Sequence, residues 1–277
     1  GEEGRVRLSL ARVRRATARA LHGPRVKVVP AAPLITLGTT YGGWTLLDAP
    51  ALEGCVLVSC GLGEDASFDI EFASRFGATV RIVDPTPRAI AHFQEIVAAL
   101  GNPGTESYKP GGRQPVAAYD LSAIRPGQLT LNSVAVSDQS GEARFFEPPN
   151  PDHISYSLVN FQNDYAQDTR FIVVRTEPID MLFSDLAGTS TILKLDIEGA
   201  EIAVIARLVT TSIRPDQILV EYDELSSPSR ESRAKFSRAH ESLSAIGYRP
   251  IHFDGRTCVS YARDEVLVAS TAVPRAR

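Results

Sequence analysis

The residues best able to do chemistry stand at the ends of short apolar runs. Asp84 closes the run from Thr79 (TVRIVD), Asp196 closes the run from Thr191 (TILKLD), and Glu221 nearly closes the run from Gln217 (QILVEY). A further run, CVLVSC over 55–60, leads straight into Gly61, Leu62, Gly63, Glu64 and Asp65. Short, uninterrupted apolar runs mark strands buried on both faces of a parallel sheet. Glycines after such a strand let the backbone turn tightly and approach a ligand closely. An acid ending the next strand can accept hydrogen bonds from both ribose hydroxyls of an adenosine. Gly61, Gly63 and Ala66 also fit the dinucleotide pattern G-x-G-x-x-G/A, with Asp84 about 20 residues on, so the motif alone leaves two ligand classes open. Charge separates them. A pyrophosphate would sit at the start of the following helix, where Glu64 and Asp65 repel it. A ligand carrying a sulfonium and an ammonium, such as S-adenosylmethionine (SAM), is favoured by the same acids. Glu64 and Asp65 can also be read as complementing the helix dipole, which leaves Asp84 unexplained.

Lys194 and Asp196 share one strand face by the two-residue period. A lysine and a carboxylate at the end of an apolar strand are costly to bury unless paired or functional. Glu198 falls at the strand–helix turn, and Glu221 belongs to the same end of the sheet. Asp196, Glu198 and Glu221 are therefore candidate catalytic carboxylates, whereas Glu201 reads equally well as a first-turn residue serving the dipole. His153 lies in the polar stretch 148–170 with Ser155 and Ser157 beside it, and is the candidate general base. Its alternative is an exposed loop histidine. His22, His92, His240 and His252 fall on expected helices or an edge strand and read as structural. Asp196, Glu221 and Asp223 carry the hard oxygen donors that suit Mg2+, but nothing in their spacing demands a metal and none is expected.

The elements that must position these groups alternate. A strand at 55–60, a helix at 64–76, a strand at 79–84, a helix at 87–100 and a strand at 129–136 come first. Residues 137–190 are an insertion facing the substrate, with extended segments at 142–146 and 171–175. Then follow a strand at 191–196, a helix at 199–209, a strand at 217–222 and a helix at 229–246. Two segments that look antiparallel, 248–253 and 257–269, end the pattern. This is an α/β chain with one doubly wound, mostly parallel sheet and an antiparallel edge strand. Its 277 residues, 43% hydrophobic, suffice for one core over 31–277. Residues 1–30 stand apart: Arg5, Arg7, Arg12, Arg14, Arg15 and Arg19 alternate with Val6, Leu8, Leu10, Val13 and Leu21. That pattern is a basic amphipathic helix, read as a lid on the domain, with peripheral membrane or nucleic-acid contact as its rival. A net charge of −4 argues against a nucleic-acid partner for the whole chain. No apolar run is long enough to span a membrane, and no signal peptide stands out. Cys55, Cys60 and Cys258 have no zinc spacing and fit reduced thiols in the cytoplasm.

Taken together, the segments resemble the FkbM-type SAM-dependent methyltransferases. The resemblance rests on Tyr41-Gly42-Gly43-Trp44, on Gly61-Leu62-Gly63-Glu64-Asp65-x-Ser67-Phe68-Asp69 and on Asp84-Pro85-Thr86-Pro87. It continues through Ala135-Val136-Ser137-Asp138-x-x-Gly141, His153-x-Ser155-x-Ser157, Ile218-Leu219-Val220-Glu221 and Gly247-Tyr248. Its most specific part is Leu193-Lys194-Leu195-Asp196-Ile197-Glu198-Gly199-Ala200-Glu201. It implies a Rossmann-like methyltransferase fold, SAM as donor, and a hydroxyl on a sugar, a polyketide or another small natural product as acceptor. It implies Gly61 and Gly63 under the methionine part, Asp84 at the ribose, Ala135 and Val136 beside the adenine, and Asp196 facing the methyl. Tyr41, Leu62, Glu64, Asp65 and Pro85 complete the expected cofactor surroundings. Two rival readings remain at this point: an NAD-dependent or nucleotide-sugar oxidoreductase on the same kind of sheet, and a SAM-binding protein without catalysis.

Overall fold

Two short strands that the apolar pattern does not announce, β1 (Leu34–Leu37) and β2 (Trp44–Leu47), pair as an antiparallel hairpin. The computed structural model describes residues 21, 23–149, 156–163 and 166–272. The basic segment 1–20, and His22, lie outside those residues. The strands continue as β3 (Val56–Cys60), β4 (Thr79–Val83), β5 (Leu129–Asn132), β6 (Ala135–Ser137), β7 (Gly141–Phe146) and β8 (Phe171–Pro178). They end with β9 (Thr191–Leu195), β10 (Gln217–Glu221), β11 (Tyr248–Phe253) and β12 (Cys258–Arg263). The α-helices are α1 (Ser67–Phe76), α2 (Pro87–Ala98), α3 (Ile179–Leu182), α4 (Glu201–Leu208), α5 (Arg230–Ala245) and α6 (Asp264–Ala272).

Seven strands form one sheet in the order β11-β12-β10-β9-β3-β4-β5. β3 pairs in parallel with both β4 and β9, and β9 pairs in parallel with β10. From β3 the chain first builds outward through β4 and β5. It then returns to build the other half through β9 and β10. The order reverses between β3 and β9, where a crevice opens beyond the strands' carboxyl ends. Leu57, Val80 and Ile192 point to one face, under Phe68, Phe72 and Phe76 of α1. Val58, Leu193 and Val220 point to the other, under Val204 and Leu208 of α4 and Phe236 of α5. The period of two along each strand thus buries both faces. Phe68, Phe72 and Phe76 stack along α1 with ring centroids 5.7 and 5.0 Å apart, one turn between each.

Several expected boundaries differ, each for a local reason. The helix expected from 64 begins at Ser67, because Leu62–Asp65 is held as a turn. The strand expected over 129–136 divides: Val134 N donates to Asn132 O at 3.0 Å, and β6 leaves the main sheet for a three-stranded one in the order β6-β8-β7. The segment 257–269 is a strand only to Arg263, and Asp264 and Glu265 open α6. The expected antiparallel edge is corrected too. β12 is the reversed strand, antiparallel to both β10 and β11, and lies one place in, leaving β11 at the edge. β12 is the more continuously buried of the pair, so it takes the inner position. The β1–β2 hairpin is tied to the sheet by Gln217, whose side chain bonds both N and O of Leu47 at 2.8 Å. No helix among the described residues is long and apolar enough to cross a membrane.

Candidate functional site

The turn after β3 is built around one carboxylate. Asp84, the residue after β4, is buried and accepts hydrogen bonds from the amides of Leu62 and Gly63 at 2.9 and 3.1 Å. Its other oxygen accepts from the amide and the hydroxyl of Thr86. Four donors fill the ordinary acceptor capacity of a carboxylate. The neighbouring amides are also engaged: Asp65 N on Leu62 O, Ala66 N on Tyr119 Oη and Ser67 N on Asp65 Oδ1. Tyr119 is in turn held by His92, 2.8 Å away, so that buried histidine supports the turn from behind. Burial lowers its proton affinity below the ordinary imidazole value. Gly61 has φ +89°, and a β-carbon there would lie 1.8 Å from Asp196 O. Only glycine lets β3 and β9 close at this point.

The acids that the sequence places at a helix start have partners of their own. Glu64 is paired with Arg88 and Arg113. Asp65 accepts from Thr39 Oγ1 at 2.6 Å, which fixes the β1–β2 loop over the turn. The loop carries Tyr41 to the mouth of the cleft, where it is 69% exposed and leans on Gly112.

Facing this turn are the carboxylates that follow β9 and β10. Lys194 is 4% exposed; its Nζ donates to Gly61 O and lies 3.8 Å from Asp196 Oδ2. Burial raises the proton affinity of Asp196, Lys194 partly offsets this, and Asp84 adds to it. Glu198 sits at φ +57°, unusual for a residue other than glycine. Its carbonyl accepts the hydroxyl of Ser157. Glu201 folds back: its carboxylate accepts from Ile197 N at 3.0 Å and from Gly199 N at 3.0 and 3.1 Å, and α4 starts only at Glu201. It therefore shapes the turn and does not line the cleft. Glu221 accepts from Thr257 Oγ1 at 3.0 Å. Burial, then the charges of Asp196 and Glu198, push its carboxyl up to about 7. Asp223 is pushed up more strongly, by burial and then by Glu198, Glu201, Glu221 and Asp196.

These two walls enclose one cleft of about 790 Å³. Tyr41, Gly61, Leu62, Gly63, Glu64 and Asp65 line it from the β3 side, with Asp84 and Pro85 after β4. Ala135 and Val136 line it from β6, and Asp196, Glu198 and Glu221 from the opposite wall. Every described residue singled out from the sequence for the cofactor or for catalysis is thus brought to one place. His153 lies outside the described residues. The sequence reading left out the apolar end. Phe145 and Tyr156 stack there with centroids 5.7 Å apart, and Leu158 lies beside them. It also left out Asp254, Arg256 and Thr257 beyond β11. The alternation in β7 hinted at Phe145, but nothing local shows that β7 folds over the cleft. Asp223 stands two residues after the chosen Glu221 and entered only as a possible metal ligand. Among the described residues no group of three His, Cys, Asp or Glu side chains is placed to hold a metal ion.

A search among curated proteins finds no match to this chain. A family model described as the methyltransferase FkbM domain matches residues 67–250, from the first residue of α1 into β11. That span covers most of the chain and includes Asp84, Asp196 and Glu221, and the chain belongs to the FkbM methyltransferase family.

Proposed function

We propose that the cleft binds SAM and that the protein transfers its methyl group to a hydroxyl oxygen of a small molecule. The observation that carries this reading is the position of Asp84. Its carboxylate occupies the turn amides that a dinucleotide would offer its pyrophosphate, and the following amides are engaged as well. A phosphate there would meet negative charge, with the amides of Leu62, Gly63, Asp65, Ala66 and Ser67 already engaged. This argument replaces repulsion by Glu64, whose charge two arginines compensate. The remaining features fit the cofactor. Ala135, Val136, Phe145, Tyr156 and Leu158 give an apolar end suited to adenine. A ribose hydroxyl at Asp84 takes the place of the Thr86 hydroxyl, which can rotate away. Asp196 offers negative charge to the cationic methionine part.

When bound, SAM supplies an electrophilic methyl group. The protein orients the acceptor in line with it and excludes water, which is where most of the rate gain in such a displacement arises. A hydroxyl acceptor must also lose its proton. Glu221, pushed up to about 7 and held by Thr257, is poised to accept it near neutral pH. Asp223 holds its own proton there and can donate a hydrogen bond to a second acceptor oxygen. The three cysteines are free thiols, which suits a cytoplasmic enzyme.

Calorimetry with SAM, S-adenosylhomocysteine and NAD tests the reading. Binding of the first two is expected; binding of NAD alone would overturn it.

A further inference from the structure

Behind the cleft floor lies a charge arrangement that the proposed chemistry does not use. Lys194 sits on β9 opposite Ser59 of β3, in the register that pairs those strands. Its ammonium is nearly sealed from solvent, 6.0 Å from the ring centroid of Trp44. On the cleft side it meets Gly61 O and Asp196. On the helix side stands Asp69 of α1, 1% exposed, with neither carboxylate oxygen hydrogen-bonded. A buried carboxylate without donors is costly unless a counter-charge compensates it. Lys194 is the cation that acts on it, more strongly than the nearby Ser59 hydroxyl does.

We infer that Lys194 is a positioning residue whose buried ammonium, shared between Asp69 and Asp196, keeps Asp196 anionic towards the cofactor's cation. The inference rests on the SAM reading of the cleft. The groups acting on Lys194 are Asp196, Asp69, Cys60 and Asp84; burial lowers its proton affinity, but these more than offset that. Around Asp196 stand Lys194 from its own strand and Asp84 from beyond β4. Glu221, Asp223 and Tyr41 also face it. Of these, Lys194 alone is a cation. Without it, Asp196 would take up a proton at higher pH, and the attraction for a cationic ligand would go with the charge. The same lysine holds Gly61 O, so charge and turn geometry are set by one group.

The test is the pH dependence of ligand binding. Wild type, Lys194→Met, Lys194→Arg and the double variant Lys194→Met/Asp69→Asn are titrated with SAM and with S-adenosylhomocysteine from pH 6 to 8. The double variant removes both buried charges, so it keeps the test alive if Lys194→Met alone fails to fold. In the methionine variants, SAM affinity should fall at a higher pH than in wild type, by about tenfold per pH unit below the raised Asp196 value. S-adenosylhomocysteine, which lacks the sulfonium charge, should change less. Lys194→Arg should restore the wild-type profile. A methionine variant with the wild-type profile, or equal losses for both ligands at every pH, would overturn the inference while leaving the SAM reading in place. So would a folded Lys194→Arg variant that fails to restore the wild-type profile. A wild type that binds neither ligand overturns the reading beneath it.

Discussion

The turn after β3 and the turns after β9 and β10 face each other across one cleft and are built on opposite terms. In the first, Asp84 has four donors and the amides of Leu62, Gly63, Asp65, Ala66 and Ser67 all have acceptors. In the second, burial and mutual repulsion push Glu221 and Asp223 up, and Glu198 stands in a left-handed conformation. A turn satisfied within the protein is rigid before any ligand arrives, which is what a constant cofactor requires. Crowded carboxylates are costly to the fold and hold protons at neutral pH, which is what acid–base work on an acceptor requires. Substitutions on the two walls should therefore fail in different ways.

The largest effect is expected on the satisfied wall. Gly61→Ala adds a β-carbon 1.8 Å from Asp196 O at φ +89°, so β3 and β9 must part. Overpacking and a disfavoured φ together cost about 3–5 kcal/mol. Chemical denaturation should show the loss, with SAM binding abolished. A wild-type midpoint would mean that the turn is looser than its bonds suggest.

Next comes the proton-holding wall. Glu221→Gln should lower turnover by about 10²- to 10⁴-fold on an accepted hydroxyl substrate, with SAM affinity little changed. The wild-type rate should rise with pH through about 7, and the variant should lose that rise. Stability gives a second readout. Glu221 holds its proton in the folded chain up to about 7, but in the unfolded chain only to about 4.3. The folded state binds the extra proton between those values, so the contribution of Glu221 to stability falls as pH rises through that window and levels off above it. Glu221→Gln should flatten that slope. An unchanged rate profile would pass the base role to another group, His153 among them.

A smaller effect is expected from Asp84→Ala. It leaves the amides of Leu62 and Gly63 without an acceptor and should weaken SAM binding by about 1–3 kcal/mol. Calorimetry on the folded variant measures this, and an unchanged affinity would remove Asp84 from the cofactor site.

The parts of the cleft differ in how legible they are in the sequence, for a physical reason. The β3 wall is contiguous: CVLVSC, the glycines and Asp84 are short-range signals of a strand, a turn and a strand end. The sheet was readable too, because β3, β4, β9 and β10 are short buried runs. The apolar end of the cleft, by contrast, depends on distant chain. Phe145 and Tyr156 reach the cleft only because β6 leaves the main sheet after Asn132, and no local pattern marks that departure. The β1–β2 hairpin was missed because its four-residue strands are anchored from afar, by Gln217 on Leu47 and Ser260 on Thr45. Glu201 stayed open between the cleft and the helix start because spacing cannot tell a carboxylate facing a ligand from one folded back on its own turn.

Glu198 gives the finest test, because backbone and carboxylate can be separated there. A residue with a side chain costs about 1–2 kcal/mol in the left-handed region. Here the conformation is held by Ser157 on Glu198 O and by Glu201 on the amides of Ile197 and Gly199. Glu198→Gly relieves the backbone but makes the unfolded chain more flexible, which opposes the gain by about 0.4–1 kcal/mol. The net expectation is a rise in stability of up to about 1 kcal/mol. Glu198→Ala keeps the backbone cost and should not show that rise. Both variants remove a negative charge that raises Glu221 and Asp223, so the pH at which the rate rises should move down in both. Stability then separates glycine from alanine, and the pH profile separates both from wild type. If glycine is no more stable than alanine, the left-handed turn is not strained. If neither variant moves the profile, Glu198 does not act on Glu221, and the acidic wall is a set of independent groups.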